Sequence, residues 1–176
     1  MTEAEFVELR KEVTDCFADI LDLMWFTGCR TTEARNLKAE HVDLKNGMVV
    51  FPPSEAKGKR QERVIFLPPQ AIEVVEGQLA VHKSGFVFRN THAHGNQWQR
   101  NALSCRFKRL KEKIGKKLCA YALRHSFATE GLKRGVDSLT LAQIMGHSDT
   151  TMLSRHYAHL ARNPVYLAKQ ARRVRD

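Results

Sequence analysis

Apolar residues recur at steps of three and four from the first turn of the chain: Phe6, Leu9, Val13, Phe17, Ile20 and Met24. That spacing lines one face of a helix and predicts a single amphipathic helix running to Thr27-Gly28. Thr2 and Glu5 have the spacing of a capping box. Gly28 can take the left-handed backbone that closes a helix, and Thr31 or Thr32 can cap the next one. The period then shortens. Residues 48–51 and 63–67 are short, apolar, β-prone runs around the basic stretch PPSEAKGKRQE, which predicts a hairpin with a long loop. Residues 86–88 predict a third strand joining it. Pro68-Pro69 ends the second run and opens a helix over 70–81. Helical spacing returns over 96–115, 121–134 (burying Leu123, Phe127 and Leu132) and 138–145. A helix bearing Tyr157, capped by Asp149 or Thr150, follows, and a basic helix after Asn163-Pro164 ends the chain. The expected fold is α+β and mostly α-helical, with a small three-stranded antiparallel sheet.

Composition narrows the partners. A chain of 176 residues with 43% hydrophobic content suits one domain, 1–176, with its own core. A formal charge of +10 points to an anionic partner, nucleic acid first. No apolar run approaches the roughly 18 residues of a membrane span and no signal peptide opens the chain. The expected location is therefore cytoplasmic, nucleoid-associated if the source is bacterial, with no membrane partner. Cys16, Cys29, Cys105 and Cys119 form no Cys-x-x-Cys pair and read as buried or half-buried thiols. His92 and His94 have no third ligand in view, so a solvated loop is expected and no metal site. The predicted helix 96–115 carries Arg100, Arg106, Lys108, Arg109, Lys111 and Lys113. Such a run is usually a solvated face, but in so basic a chain it suits the DNA backbone, with Arg106 and Arg109 as contacts. Trp25 and Trp98 read as packing residues.

The densest chemistry lies in residues 119–160, CAYALRHSFATEGLKRGVDSLTLAQIMGHSDTTMLSRHYAHL. Arg124 offers a planar fork of donors that fits two oxygens of one phosphate. His147 can exchange a proton near neutral pH, and Tyr157 carries an oxygen nucleophile. Upstream, TGCRTTEARNLKAEHVDL sets Arg30 in a tight corner between helices. Taken alone, Arg30 reads as a surface charge or a helix-end ion pair, and any lysine of the basic loop as a solvated charge. No cluster of carboxylates suits a two-metal nuclease.

The stretch around Arg124 resembles the second signature of the tyrosine recombinase (phage integrase) family, His-x-x-Arg-His, then Leu-Gly-His, then a tyrosine. The matching residues are Tyr121, Arg124 and His125, then Met145-Gly146-His147, then Tyr157 within Arg-His-Tyr-Ala-His. Thr27 to Leu44 resembles the first signature, Thr-Gly-x-Arg-x-x-Glu. There are two departures: Tyr121 stands where the family most often has a histidine, and the step from His147 to Tyr157 is one residue longer than the commonest. The likeness runs from the first helix to about Leu160; the family's usual N-terminal DNA-binding domain is missing from it.

The resemblance implies a helical catalytic domain that cleaves and rejoins DNA through a 3′-phosphotyrosyl intermediate, without metal or cofactor, in site-specific recombination or integration of a mobile element. Tyr157 becomes the nucleophile, Arg30 and Arg124 clamp the phosphate, and His147 hydrogen-bonds it. Lys57 becomes the general acid at the hairpin tip, with Lys59 in reserve. Glu33 braces the corner, and Tyr121 replaces the usual histidine as a donor. His125 either braces Arg124 or is a buried histidine satisfied by the backbone. Lys59 and Arg60 join the DNA contacts. The implied partners are double-stranded DNA and further copies of the chain, a tetramer on DNA and possible monomers without it. A type IB topoisomerase shares the chemistry, but the Gly-His box and small size favour recombinases. The alternative is a basic DNA-binding module of the same fold with weak or no activity.

Overall fold

The computed structural model describes residues 1–58, 61–91, 97–115, 119–147, 151 and 164–172. Helix α1 spans Glu3–Lys11 and opens with the capping box, Glu5 N–H donating to Thr2 Oγ1 and Thr2 N–H to Glu5 Oε2. The expected single long helix is two. Asp15 Oδ1 accepts from Phe17 N–H at 3.1 Å and Arg10 Nη1 donates to the carbonyl of Val13 at 2.7 Å. These side chains give residues 12–17 hydrogen bonds that compete with helix. Helix α2, Ala18–Thr27, then restarts with Ile20, Leu21, Leu23 and Met24 all buried.

Gly28 ends α2 at φ 62, as expected. A Cβ on Gly28 would lie 2.5 Å from Cδ1 of Phe127, so the corner has no room for a side chain. Helix α3, Thr31–Asn36, is capped not by Thr31 or Thr32 but by Glu33, whose Oε2 accepts from Arg30 N–H at 2.7 Å. Arg30 thus holds the N-cap position itself.

The sheet has three antiparallel strands in the order β1 (Val42–Asp43), β2 (Met48–Phe51), β3 (Arg63–Phe66). Its third member is therefore β1 and not residues 86–88. Asn46 N–H caps onto Asp43 Oδ1 and Gly47 sits at φ 62, closing a tight turn that pairs Val42 with Val49. Residues 86–88 instead make one bridge, Phe86 to Lys38, with Val87 N–H donating to the carbonyl of Leu37. Their job is burial: Val87 and Phe88 lie in the core. Across β2 and β3, Phe51 pairs with Arg63 and Val49 with Ile65.

Helix α4 spans Pro69–Val81 and packs on α2. Helix α5 starts later than the periodicity suggests, at Arg100–Ile114, because Gln97 is bridged to Arg89 and Trp98 is buried against Phe17. Trp25 stacks on Phe6 with ring centroids 4.3 Å apart. Helices α6 (Ala120–Lys133) and α7 (Ser138–Met145) follow, and α8 is Pro164–Arg172. Among the described residues two clusters fill the interior. The main one joins α1, α2, the sheet, α4 and α5. The smaller one, Ala128, Leu132, Leu141, Ala142 and Met145, seats α7 on α6. Burial of a leucine such as Leu141 is worth about 2 kcal/mol, and this small cluster is what fixes the end of α7. Among the described residues no helix is long and apolar enough to cross a membrane. Cys29 is buried, Cys16 half-buried, and Cys105 and Cys119 are exposed, contrary to the expectation for the last two.

Candidate active site

The site is built on the C-terminal end of α7. Gly146 turns the chain there at φ 67, its N–H returning to Gln143 and that of His147 to Ala142 at 2.8 Å. These bonds use two of the helix's closing carbonyls and leave the next ones without backbone partners. Three arginines take them in sequence. Arg63 Nη1 donates to the carbonyl of Ile144 at 2.9 Å, Arg124 Nη2 to Met145 at 2.6 Å and Arg30 Nη2 to Gly146 at 2.5 Å. The carboxyl end of a helix carries partial negative charge, so it suits cations.

Each arginine arrives from a different element. Arg30 comes from the α2–α3 corner; its Nη1 donates to Glu33 Oε1 at 2.6 Å. Arg124 lies on the face of α6 that packs on α2, and its Nη1 donates to the carbonyl of Gly28 at 2.5 Å. Arg63 enters from β3, with Nε 3.2 Å from the same Glu33 oxygen. Burial pushes the Glu33 carboxyl up, but Arg63 and Arg30 together outweigh it and hold the group below its ordinary value. Burial, then the neighbouring charge of Arg30, pushes the Arg124 guanidinium down to about 10. It is still a cation at neutral pH. The Cys29 thiol, in the same corner, is pushed up to about 12 by burial and stays protonated.

His147 is half-buried and its Nε2 lies 2.8 Å from Arg124 Nη2. Since guanidinium only donates, the imidazole accepts there. Arg30, Arg63, Gly146 and His147 line an open hollow of about 1310 Å³, and Lys57 lies on its wall from the hairpin loop. Lys57 is exposed. Arg30, Glu33, Arg124, His147 and Lys57 are therefore brought to one place.

Tyr121 is not on that wall. It is 55% exposed and faces a second hollow, between α3, α5 and the start of α6, with Arg35, Arg100, Lys108 and Lys111. His125 is half-buried, its ring centroid 6.1 Å from that of Tyr121. Arg106 turns inward: it is paired with Asp15 and lies 5.5 Å over the Phe17 ring, a packing role that differs from the expected free contact with DNA. Arg109 is exposed. Tyr157, Lys59, Arg60, His92 and His94 lie outside the described residues.

Arg63 is the residue that the sequence pattern concealed. It stands at the head of an apolar run, yet strand alternation puts residue 63 on the same inward face as Ile65 and Leu67, all three buried. A charge on a core-facing strand position was the available signal.

Glu40, His41 and Glu55 bring potential metal-ligand atoms within 4.8 Å of one another. Lys38 already serves that trio, its Nζ 3.0 Å from Glu55 and 3.3 Å from Glu40. His41 Nδ1 accepts from Lys38 N–H, so the neutral ring carries its proton on Nε2, the atom facing Glu55 at 3.6 Å. The trio is an ion-pair brace at the base of the hairpin.

The phage integrase family model matches residues 4–163. The tyrosine recombinase XerD of Staphylococcus epidermidis is 32% identical over 157 residues, covering 83% of this chain and 50% of that protein. XerD of Listeria innocua is 31% identical over 158 residues, covering 84% and 52%. The chain thus spans about half the length of these relatives. Among solved structures, the integrase of transposon Tn1549 in complex with circular intermediate DNA superposes with a TM-score of 0.81 at 20% identity, over 99% of this chain and 66% of that one. XerA recombinase superposes with a TM-score of 0.74 at 22% identity, over 100% and 63%.

Proposed function

This chain belongs to the phage integrase family, and from that premise we propose that it is a DNA strand transferase acting in site-specific recombination or integration. Residues 1–176 are read as one catalytic-type domain, with double-stranded DNA as its substrate. The Tyr157 oxygen attacks the scissile phosphorus as its proton passes to solvent, the bond to the 5′ oxygen breaks, and a 3′-phosphotyrosyl ester forms. Lys57 gives its proton to the leaving 5′ oxygen. The ester retains the bond energy, so a 5′ hydroxyl of another strand reverses the step and regenerates the phenol. Exchange between two duplexes calls for a homo-oligomer, a tetramer on DNA.

Charge accumulates on the non-bridging oxygens in the transition state, and fixed donors stabilise it without reorganising. Arg30 and Arg124 take that role, with His147 adding a hydrogen bond once its Nε2, which accepts from Arg124 here, takes up a proton and donates to the phosphate. The observation that carries the reading is the convergence of Arg30, Arg124, His147 and Lys57, from four separate segments, on the end of α7 and the hollow beside it. With arginines in this role, cleavage needs no metal and is expected to persist in excess EDTA.

A second reading draws on Tyr121, which stands in place of a histidine and faces the other hollow: a DNA-binding module that does not cleave. A duplex nicked next to the cleavage position separates the two. Covalent protein–DNA adduct that disappears in Tyr157→Phe supports the transferase; retarded DNA at low salt with no adduct supports the binding module.

A further inference from the structure

We infer that Arg63 is a positioning residue for the phosphate site, one that never touches DNA and acts by aiming Arg30 and Arg124. The inference rests on the reading of those two residues as the phosphate clamp. Arg63 is 7% exposed and reaches three segments at once. Nε holds Glu33, Nη1 donates both to the carbonyl of Val64 at 2.5 Å and to that of Ile144 at 2.9 Å, and the guanidinium lies against Gly146. A Cβ on Gly146 would be 2.7 Å from Arg63 Nε. The glycine and the arginine therefore fit one another, and the glycine is the residue whose carbonyl holds Arg30.

The consequence is geometric. Glu33 Oε1 is shared by Arg30 and Arg63, so the carboxylate that orients Arg30 is itself oriented from β3. The end of α7 that receives Arg124 and Arg30 is tied to the same strand. Without Arg63, Glu33 answers to Arg30 alone and the α7 carbonyls lose their anchor on the sheet.

Stability alone does not account for an arginine here. Nη2 of Arg63 is buried with no hydrogen-bond partner among the described residues. An unsatisfied buried donor is a cost, and a whole buried ion pair is often replaced by apolar residues of similar volume without loss. What methionine cannot do is orient a carboxylate and a helix end together.

The test compares the parent chain with Arg63→Met, Arg63→Lys and Arg30→Ala on the nicked substrate, with either a phosphodiester or a methylphosphonate at the scissile position. The methylphosphonate replaces one charged non-bridging oxygen by a methyl group and so needs less neutralisation. Arg63→Met is expected to melt below the parent, since Glu33 keeps only Arg30 and the carbonyl of Ile144 loses its donor. Compared at a temperature where both are folded, it should bind the duplex as the parent does and lose about a hundredfold in adduct rate on the phosphodiester, the scale of a misplaced group. Arg63→Lys should recover part of it. On the methylphosphonate the deficit of Arg63→Met should shrink alongside that of Arg30→Ala. A parent-like rate for Arg63→Met overturns the inference, and so does an equal deficit on both substrates, which marks a merely structural role. If Arg30→Ala itself shows no difference between the substrates, the clamp reading fails and this inference falls with it.

Discussion

Two basic regions of this molecule show why a count of charges says little about what they do. On α5, Lys108, Arg109 and Lys111 are exposed to solvent. At the end of α7, Arg30, Arg63 and Arg124 are wedged against a carboxylate and consecutive carbonyls. The first set can follow a phosphate backbone wherever it runs, since each long side chain keeps its freedom. The second has given up that freedom, and its donors are held in place by the protein before any substrate arrives. Even α5 divides on this line: Arg106 faces Asp15 and Lys113 reaches Glu12 at 2.5 Å, so both serve the fold.

The contrast can be broken most directly at Arg124. Arg124→Ala is expected to lower adduct formation by about a hundredfold or more. It should also lower the melting temperature, because the carbonyls of Gly28 and Met145 lose their donor; thermal melts alongside the nicked-duplex assay check both. Next comes Glu33→Gln, which leaves buried arginines without their counter-charge and is expected to cost about 3 kcal/mol in urea unfolding at neutral pH. Its pH dependence has a definite sign. Glu33 is held below its ordinary value of 4.5, so its contribution is complete above that value and is lost as the pH falls below it. The gap between parent and variant should therefore close in acid. Gly146→Ala is expected to cost about 2 kcal/mol, since it forces a side chain into the left-handed region and onto Arg63. The smallest effects belong to α5. Arg109→Ala and Lys111→Ala should change stability by less than about 0.5 kcal/mol, and each should reduce the salt slope of DNA binding by about 1 if that face meets phosphate.

The sequence made the helical elements legible wherever local signals agreed, as at the Thr2 capping box and the Gly28 and Gly146 caps. It misled where a polar side chain intervened. Asp15 splits a helix that the apolar spacing of Val13 and Phe17 would continue, since both residues are core-facing either way. Asn46-Gly47, a strong hairpin signal, marks the β1–β2 turn, while the apolar run at residues 86–88 has the composition of a strand and is spent on burial. For the candidate site, Arg30 and Arg124 stood out because each lies in a motif. Arg63 did not, because its meaning depends on which way a strand faces. That three arginines would meet at Ile144, Met145 and Gly146 depends on tertiary placement that no local pattern encodes.

Gly28 gives the corner a further property. Its missing side chain leaves room for the Phe127 ring, while its carbonyl receives Arg124 from the same helix, one turn earlier. Steric fit and charge placement are thus read off a single backbone unit, with no adjustable part between them. A methyl group added there would push on the aromatic ring, tilt the helix behind it and swing the Arg124 guanidinium off target. Variation at position 28 should accordingly surface as lost folding and lost chemistry together.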